Sequence, residues 1–169
     1  NLEIKNNELH FGGRSTKEIA TKYKTPLYVM DEVTIRANCR KYVNSLNKYL
    51  GSSAKALYAS KACSFKRMYE IISSENMGAD VVSVGELYTA LKAGVNPQEL
   101  YFHSNSKTDE DIEYAISKNI GFFVIDNIEE LDAINHYASE NNKKQKILIR
   151  ITPGIDTHTY EAVNTGKVD

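Results

Sequence analysis

One lysine stands where a parallel α/β fold would place its chemistry. Lys61 lies in the stretch Tyr58-Ala59-Ser60-Lys61-Ala62, directly after an apolar run that is typical of a β-strand. The neighbours Cys63 and Phe65 extend this apolar setting, and desolvation lowers the pKa of a lysine toward the neutral, nucleophilic form. Because most lysines after a strand are solvated loop residues, position alone leaves two interpretations open, an imine-forming nucleophile and a solubilising residue.

Other polar residues follow the remaining apolar runs. They are Asp80 with Ser83, His103 with Ser104 and Asn105, Asp126, and Arg150 followed by His158. Ligand sites of parallel α/β folds lie at the carboxyl ends of the strands, so we expect these residues to meet on one rim. A charge inside an apolar strand needs a partner, and an ion pair between Asp80 and Arg150 would satisfy both groups.

Each of these residues also has a structural explanation. Ser83 and Glu86 have the spacing of a helix cap, and Asp126 is typical of a helix start. His103 is compatible with a hydrogen-bonded histidine at a strand end, and Tyr58 is expected to pack. Functional and structural roles therefore stay open for the rim.

The elements that position these residues alternate along the chain. Six short apolar runs predict strands: 26–30, 56–59, 79–82, 100–103, 121–125 and 147–151. From Leu57 onward the strand centres recur every 20 to 25 residues, the step of a strand–helix unit. Amphipathic helix patterns lie between the strands. The predicted N-caps are Ser64, Ser83, Thr108 and Asn127, and the predicted stop residues are Gly51 and Gly94.

Two α/β architectures fit this alternation, an open doubly wound sheet and a (β/α)8 barrel. No G-x-G-x-x-G follows any strand, which counts against a dinucleotide-binding sheet. We therefore predict part of a TIM (β/α)8 barrel, since a whole barrel takes about 250 residues.

The first residues differ from the rest. Residues 1–31 contain two short alternating pieces around Asn6-Asn7, followed by Gly12-Gly13, and predict hairpin-like β structure outside the barrel. We expect two parts, a β segment over 1–31 that belongs to a second, β domain and a truncated barrel over 32–169. The start without methionine is expected to be a processed one.

Composition excludes several classes of protein. The 169 residues are 41% apolar and 25% charged with a net charge of −1, which is ordinary for a globular protein and argues against disorder and membrane spanning. The basic cluster 143–146 lacks aromatic neighbours, so nucleic-acid binding has little support. Cys39 and Cys63 form no CxxC, and the four histidines have no metal-ligand spacing. These features predict a cytoplasmic protein without a metal.

Several motifs carry a family resemblance over nearly the whole chain. They are Thr25-Pro26-Leu27-Tyr28-Val29, Tyr58-Ala59-Ser60-Lys61-Ala62, the run 78–87, Ala93-Gly94-Val95, the run 102–107, Arg150-Ile151-Thr152-Pro153-Gly154, Thr157-His158-Thr159-Tyr160 and Thr165-Gly166. In this order and spacing they resemble the amino-terminal part of the diaminopimelate decarboxylase family. That family belongs to the fold-type III pyridoxal-phosphate decarboxylases, which include ornithine and arginine enzymes and have alanine racemase as a relative.

The resemblance implies a lyase of lysine biosynthesis. It implies that Lys61 carries pyridoxal 5'-phosphate covalently, that Asp80, Arg150 and His103 lie near this cofactor, and that meso-2,6-diaminopimelate is decarboxylated to L-lysine. It also implies an alanine racemase-like barrel, a carboxy-terminal β domain into which the first residues are woven, and a homodimer with shared active sites.

The resemblance also places part of the family's site after Asp169. These parts are a ring-stacking histidine, a glycine-rich phosphate loop, a glutamate that pairs with the pyridine nitrogen and a cysteine motif lent by the partner subunit. We therefore expect the 1–169 chain alone to be inactive. Two alternatives stay open, a decarboxylase or racemase acting on another amino acid, of the ornithine or arginine type, and a non-catalytic fragment that needs the other half.

Overall fold

The structure, a computed structural model, describes residues 1–154. His158 and the motifs Thr157-His158-Thr159-Tyr160 and Thr165-Gly166 lie outside the described residues. The chain divides into two compact units. The first contains Asn1–Ala56 and Ile71–Met77, and the second contains Leu57–Glu70 and the residues from Gly78 onward.

The first unit begins with a three-stranded antiparallel sheet. Its strands are β1 (Leu2–Lys5), β2 (Glu8–Phe11) and β3 (Arg14–Ser15), in the order β1-β2-β3. Asn6 and Asn7 adopt φ values of 50° and 62°, the left-handed conformation that a two-residue hairpin turn requires. The hairpin predicted for this part of the chain is confirmed.

Two helices follow, α1 (Thr16–Tyr23) and α2 (Glu32–Leu50). Helix α1 was not predicted from the sequence. It begins after Ser15, whose side chain accepts a hydrogen bond from the Glu18 N–H. Asp31 caps α2 in the same way, and the helix ends before Gly51 at a φ of 83°. Gly51 thus stops α2 as predicted.

The strand predicted over 26–30 is wrong. These residues have no regular secondary structure, and Leu27, Tyr28, Val29 and Met30 are exposed, with Tyr28 97% exposed. A strand needs a neighbour to satisfy its backbone groups, and within residues 1–154 no strand pairs with this segment.

The second unit is built on five parallel strands. They are β4 (Leu57–Ala59), β5 (Gly78–Val81), β6 (Leu100–His103), β7 (Phe122–Ile125) and β8 (Lys146–Ile149), in the order β4-β5-β6-β7-β8. Strand order follows chain order without a reversal. This order confirms the predicted partial barrel and excludes a doubly wound arrangement of these five strands.

Helices follow the strands. They are α3 (Lys66–Ser74), α4 (Val84–Lys92), α5 (Asp109–Ser117) and α6 (Ile128–Glu140). The caps predicted at Ser83, Thr108 and Asn127 are confirmed, because each side chain accepts from a backbone N–H three residues later. The cap at Ser64 is wrong: α3 begins at Lys66, and the Ser64 hydroxyl lies 3.0 Å from the Tyr69 hydroxyl.

The two faces of the central strands differ. One face is buried, with six side chains between 0% and 3% exposed: Ala79, Val81, Leu100, Phe102, Phe123 and Ile125. The other face, called the open face below, carries the partly exposed Asp80, Tyr101, His103, Phe122 and Val124. The register aligns Asp80 with Tyr101 and Tyr101 with Phe122, whose rings stack 4.5 Å apart.

Two glycines fix where strands begin. A Cβ on Gly121 would lie 2.2 Å from the Gln98 carbonyl oxygen, and one on Gly78 would lie 2.5 Å from the Glu99 carbonyl oxygen. Only glycine allows this approach of one backbone to another.

Among residues 1–154, no helix has the length and apolar character needed to cross a bilayer.

Candidate functional site

The turn that carries Lys61 is closed by hydrogen bonds. Residues Ser60–Ala62 form a 3-10 turn directly after β4. The Cys63 N–H donates to the Ser60 carbonyl at 3.1 Å, and the Tyr58 hydroxyl donates to the Cys63 carbonyl at 2.9 Å. Tyr58 therefore contributes a hydrogen bond as well as packing, and the backbone under Lys61 is held in one conformation.

The Lys61 side chain itself is exposed. Ala59 and Ala62 are also exposed, while Ser60 is fully buried beneath them. The apolar enclosure that the neighbouring residue types predict for Lys61 is therefore absent among residues 1–154. The amine is open to a ligand at the carboxyl end of β4.

Asp80 lies on the next strand and has an incomplete set of partners. Its Oδ2 lies 3.4 Å from Nδ1 of His103, while within the described residues its Oδ1 is buried and accepts no hydrogen bond. Burial raises the pKa of the Asp80 carboxyl, and the charges of His103 and Lys61 oppose that rise. Asp80 is thus a carboxyl that retains a proton more readily than usual and presents one free oxygen.

The expected ion pair between Asp80 and Arg150 is wrong. Arg150 Nη1 donates instead to Asp126 Oδ1 at 2.9 Å. The reason is the strand order: β6 and β7 separate Asp80 from Arg150, a span of roughly 14 Å at about 4.8 Å per strand. Asp126 directly follows the adjacent strand β7, and so it is the carboxylate within reach.

The rim thus consists of two pairs and the Lys61 turn. Asp80 and His103 lie near the carboxyl ends of β5 and β6, and the other pair, Asp126 and Arg150, directly follows β7 and β8. Of the other polar residues predicted for the rim, Ser83 caps α4, the Ser104 hydroxyl accepts from the Ser106 N–H, and Asn105 is exposed. Cap formation accounts for Ser83 without a ligand.

Sequence reasoning missed two buried charges beside this rim. Lys107 and Glu130 have side chains that are 0% and 5% exposed, and their charged atoms lie 2.5 Å apart. Lys107 lies inside the family motif 102–107, and Glu130 has the spacing of an ordinary capping-box residue after Asn127. The one sequence signal for this pair was the position of Lys107, a charged residue four positions after the end of β6.

The rim fits a small ligand that binds an amine covalently. Lys61 offers the amine, Asp80 Oδ1 is a buried acceptor without a donor among residues 1–154, and Arg150 adds a cation 37% exposed. No three residues of the described part form a His, Cys, Asp or Glu cluster that could hold a metal ion. An amine beside a buried carboxyl is a set of groups that suits an aldehyde ligand.

Comparison with known proteins points to one group. A family model described as pyridoxal-dependent decarboxylase, pyridoxal binding domain, matches residues 33–169. Curated diaminopimelate decarboxylases are similar to the chain, that of Bacillus methanolicus at 45% identity over 95% of the chain and that of Staphylococcus aureus at 43% over 97%. The chain spans only 37% and 38% of the lengths of these relatives.

Solved structures of diaminopimelate decarboxylases are also similar to the chain. Diaminopimelate decarboxylase from M. jannaschii in complex with L-lysine superposes with a TM-score of 0.86 at 34% identity, covering 98% of this chain and 39% of that one. The Helicobacter pylori enzyme complexed with L-lysine gives a TM-score of 0.75 at 33% identity, covering 89% of this chain and 38% of that one.

Proposed function

Because the chain belongs to the pyridoxal-dependent decarboxylase family through its pyridoxal-binding domain, we propose that this protein converts meso-2,6-diaminopimelate to L-lysine with pyridoxal 5'-phosphate as its cofactor. The supporting observation is the open amine of Lys61 beside Asp80, in a chain 45% identical to a diaminopimelate decarboxylase. The chain spans 37% of that relative, so the activity of the whole protein is part of the proposal.

Lys61 is the residue proposed to hold the cofactor covalently. Its exposed side chain stands on a turn that the Tyr58 hydroxyl and the Cys63 N–H close, so the amine starts from a fixed backbone. Pyridoxal phosphate, when bound, supplies an electron sink for the electron pair left behind as the substrate carboxylate departs as carbon dioxide.

Asp80, His103 and Arg150 are proposed to contact the cofactor. Asp80 Oδ1 is buried and has no donor among residues 1–154, which suits this atom to accept a hydrogen bond from a ligand group. His103 orients the other carboxyl oxygen through Nδ1 at 3.4 Å. Arg150, anchored by Asp126, presents a cation that can bind a carboxylate or a phosphate.

The family resemblance further supports a homodimer in the cytoplasm as the working form. Both statements belong to the proposal. Free cysteines at Cys39 and Cys63 are compatible with a reducing compartment.

The central experiment maps the modified lysine. The intact protein is incubated with pyridoxal phosphate, reduced with borohydride, digested and analysed by mass spectrometry. We expect the label on Lys61, and we expect the Lys61→Ala variant to lose it because no other described lysine stands at the carboxyl end of β4. Label on another lysine of the wild-type protein would refute the cofactor assignment.

A second assay separates the substrates. Carbon dioxide release is measured with diaminopimelate, ornithine and arginine as alternative substrates for the intact protein. We expect release from diaminopimelate, and release from ornithine or arginine alone would favour the other branch of the family.

A further inference from the structure

Lys107 has a fully buried side chain that the proposed chemistry does not use. Its Nζ donates to the Ser104 carbonyl at 2.7 Å, to the Val124 carbonyl at 2.8 Å and to Glu130 Oε1 at 2.5 Å. An ammonium has three donors, so every one of them is occupied. Lys107 therefore has no free position for a ligand, and it differs in this from the exposed Lys61.

The contacts of Lys107 join the ends of two strands. Ser104 directly follows His103, the last residue of β6, and Val124 lies two residues before Asp126 at the end of β7. One side chain thus fixes the distance between the loop after β6 and the end of β7.

Glu130 extends this connection to the neighbouring pair. Its Oε2 accepts a hydrogen bond from the Asp126 N–H at 3.3 Å, and the Asp126 side chain in turn accepts from Arg150 at 2.9 Å. The contacts therefore run without a gap from the residue after His103 to Arg150.

Stability alone does not explain a buried ion pair at this place. Burying both charges costs desolvation free energy, and apolar residues of similar size often replace such a pair without loss of stability. The geometry of the pair, by contrast, is specific, because each partner also holds a backbone group of a rim loop.

We propose that Lys107 and Glu130 are positioning residues that hold the carboxyl-end loops of β6 and β7, so that His103 and the Asp126–Arg150 pair stay on the open face. The link to catalysis rests on the proposed function. The link to rim geometry does not, because it concerns only contacts within this chain.

The test uses double variants, because removing one charge leaves the other buried without a partner. In the intact protein, Lys107→Met with Glu130→Leu removes every contact of the pair. Lys107→Met with Glu130→Gln removes the ammonium but keeps an acceptor for the Asp126 N–H. Lys143→Met is the matched control. Lys143 lies between α6 and β8, and it also donates to a backbone carbonyl, that of Ile116.

Four quantities are measured: the urea midpoint, the pyridoxal phosphate dissociation constant, KM with kcat, and the NMR chemical shift of the His103 ring. Both double variants are expected to unfold at the wild-type midpoint or above and to shift the His103 resonance. The Leu variant should weaken cofactor binding and raise KM by about 10- to 100-fold, the effect of a displacement of about 1 Å at a site. Lys143→Met should leave the dissociation constant, KM and the His103 resonance unchanged.

Three results would overturn the proposal. The first is a folded Leu variant with an unchanged His103 resonance and unchanged cofactor affinity. The second is a Gln variant that behaves as wild type, which would remove the role of Lys107. The third is failure of both double variants to fold, which would make the pair a stability element. If the wild-type protein neither binds pyridoxal phosphate nor releases carbon dioxide, the proposed function fails, and the His103 resonance still decides the positioning role.

Discussion

At the scale of single residues, Asp80 combines burial with an unsatisfied oxygen. Its Oδ1 has no partner among residues 1–154, and its pKa is raised above the ordinary value of 3.8, chiefly by desolvation. The folded state therefore binds the Asp80 proton more tightly than the unfolded state does. The associated stability is fully present below pH 3.8 and is lost as the pH rises through the folded-state pKa.

This predicts that Asp80→Asn stabilises the fold at neutral pH. At pH 7 the wild-type protein holds a desolvated carboxylate, and the amide removes that charge, so we expect a gain of about 1 kcal/mol in the free energy of unfolding. Urea unfolding at pH 7 and pH 4 should show a smaller gain at pH 4. Pyridoxal phosphate binding should weaken in the same variant.

Asp126→Asn serves as the control for this prediction. Its carboxylate already pairs with Arg150 at 2.9 Å, so its removal should not stabilise the protein. A loss of stability on Asp80→Asn at pH 7 would contradict the burial cost assigned to Asp80.

The polar residues at strand ends allowed the rim to be predicted, but their residue types did not show which of them form ion pairs. Asp80 and Arg150 are both charges in apolar runs, and their chemistry favours a mutual ion pair. The number of strands between them decides the partner instead, and that number becomes known only with the strand order. Lys107 was missed because burial of a lysine depends on three acceptors from separate segments.

At the scale of elements, three of the four predicted helix N-caps were correct, whereas the pairing of one predicted strand was not. Ser83, Thr108 and Asn127 act on N–H groups three residues away, so short sequence windows contain the whole interaction. The segment over 26–30 has the composition of a strand, yet a strand needs a partner that no local pattern supplies.

The end of α3 is tied to α2 by a carboxylate between two arginines. Glu75 accepts from Arg36 Nη1 at 2.8 Å and from Arg40 Nε at 2.7 Å, and all three residues belong to the first unit. Hydrogen bonds from Arg40 and Arg36 lower the pKa of Glu75 from 4.5 to about 2.

This lowered pKa predicts an acid-sensitive first unit. The stability that Glu75 contributes is present above pH 4.5 and is lost as the pH falls toward 2, because the folded state releases the proton more readily than the unfolded state. We expect Glu75→Gln to lower the urea midpoint at pH 7 and to flatten its fall between pH 4.5 and pH 2. Glu140→Gln, which removes an exposed contact to His136, should leave both unchanged. Equal pH profiles for wild type and Glu75→Gln would contradict the assignment.

At the scale of the whole molecule, the spacing and the order of the strands were predictable from the sequence, as were the two open edges of a five-stranded sheet. The spacing of strand centres indicated successive strand–helix units, and the observed order β4-β5-β6-β7-β8 agrees. Within residues 1–154, β4 pairs only with β5 and β8 only with β7. No other described strand therefore pairs with the outer sides of β4 and β8, and an open strand edge favours association with another chain.

The 1–169 chain should accordingly self-associate at micromolar concentrations. Sedimentation velocity is expected to show dimers or larger species, and Ile149→Lys should reduce them because lysine on an edge strand disfavours pairing. Ile149 is 69% exposed. Ile128→Lys changes a side chain of similar exposure, 68%, on α6 and is the control. A monomer at every concentration would show that these edges do not drive association.

The unbroken strand order also has a consequence for folding during synthesis. Residues aligned on neighbouring strands, such as Asp80 with Tyr101 and Tyr101 with Phe122, are 21 positions apart in the chain. Each of β5, β6, β7 and β8 therefore pairs with the strand made immediately before it, and these four pairings need no later segment. A ribosome can add this sheet strand by strand, and its contact order stays low for a parallel sheet.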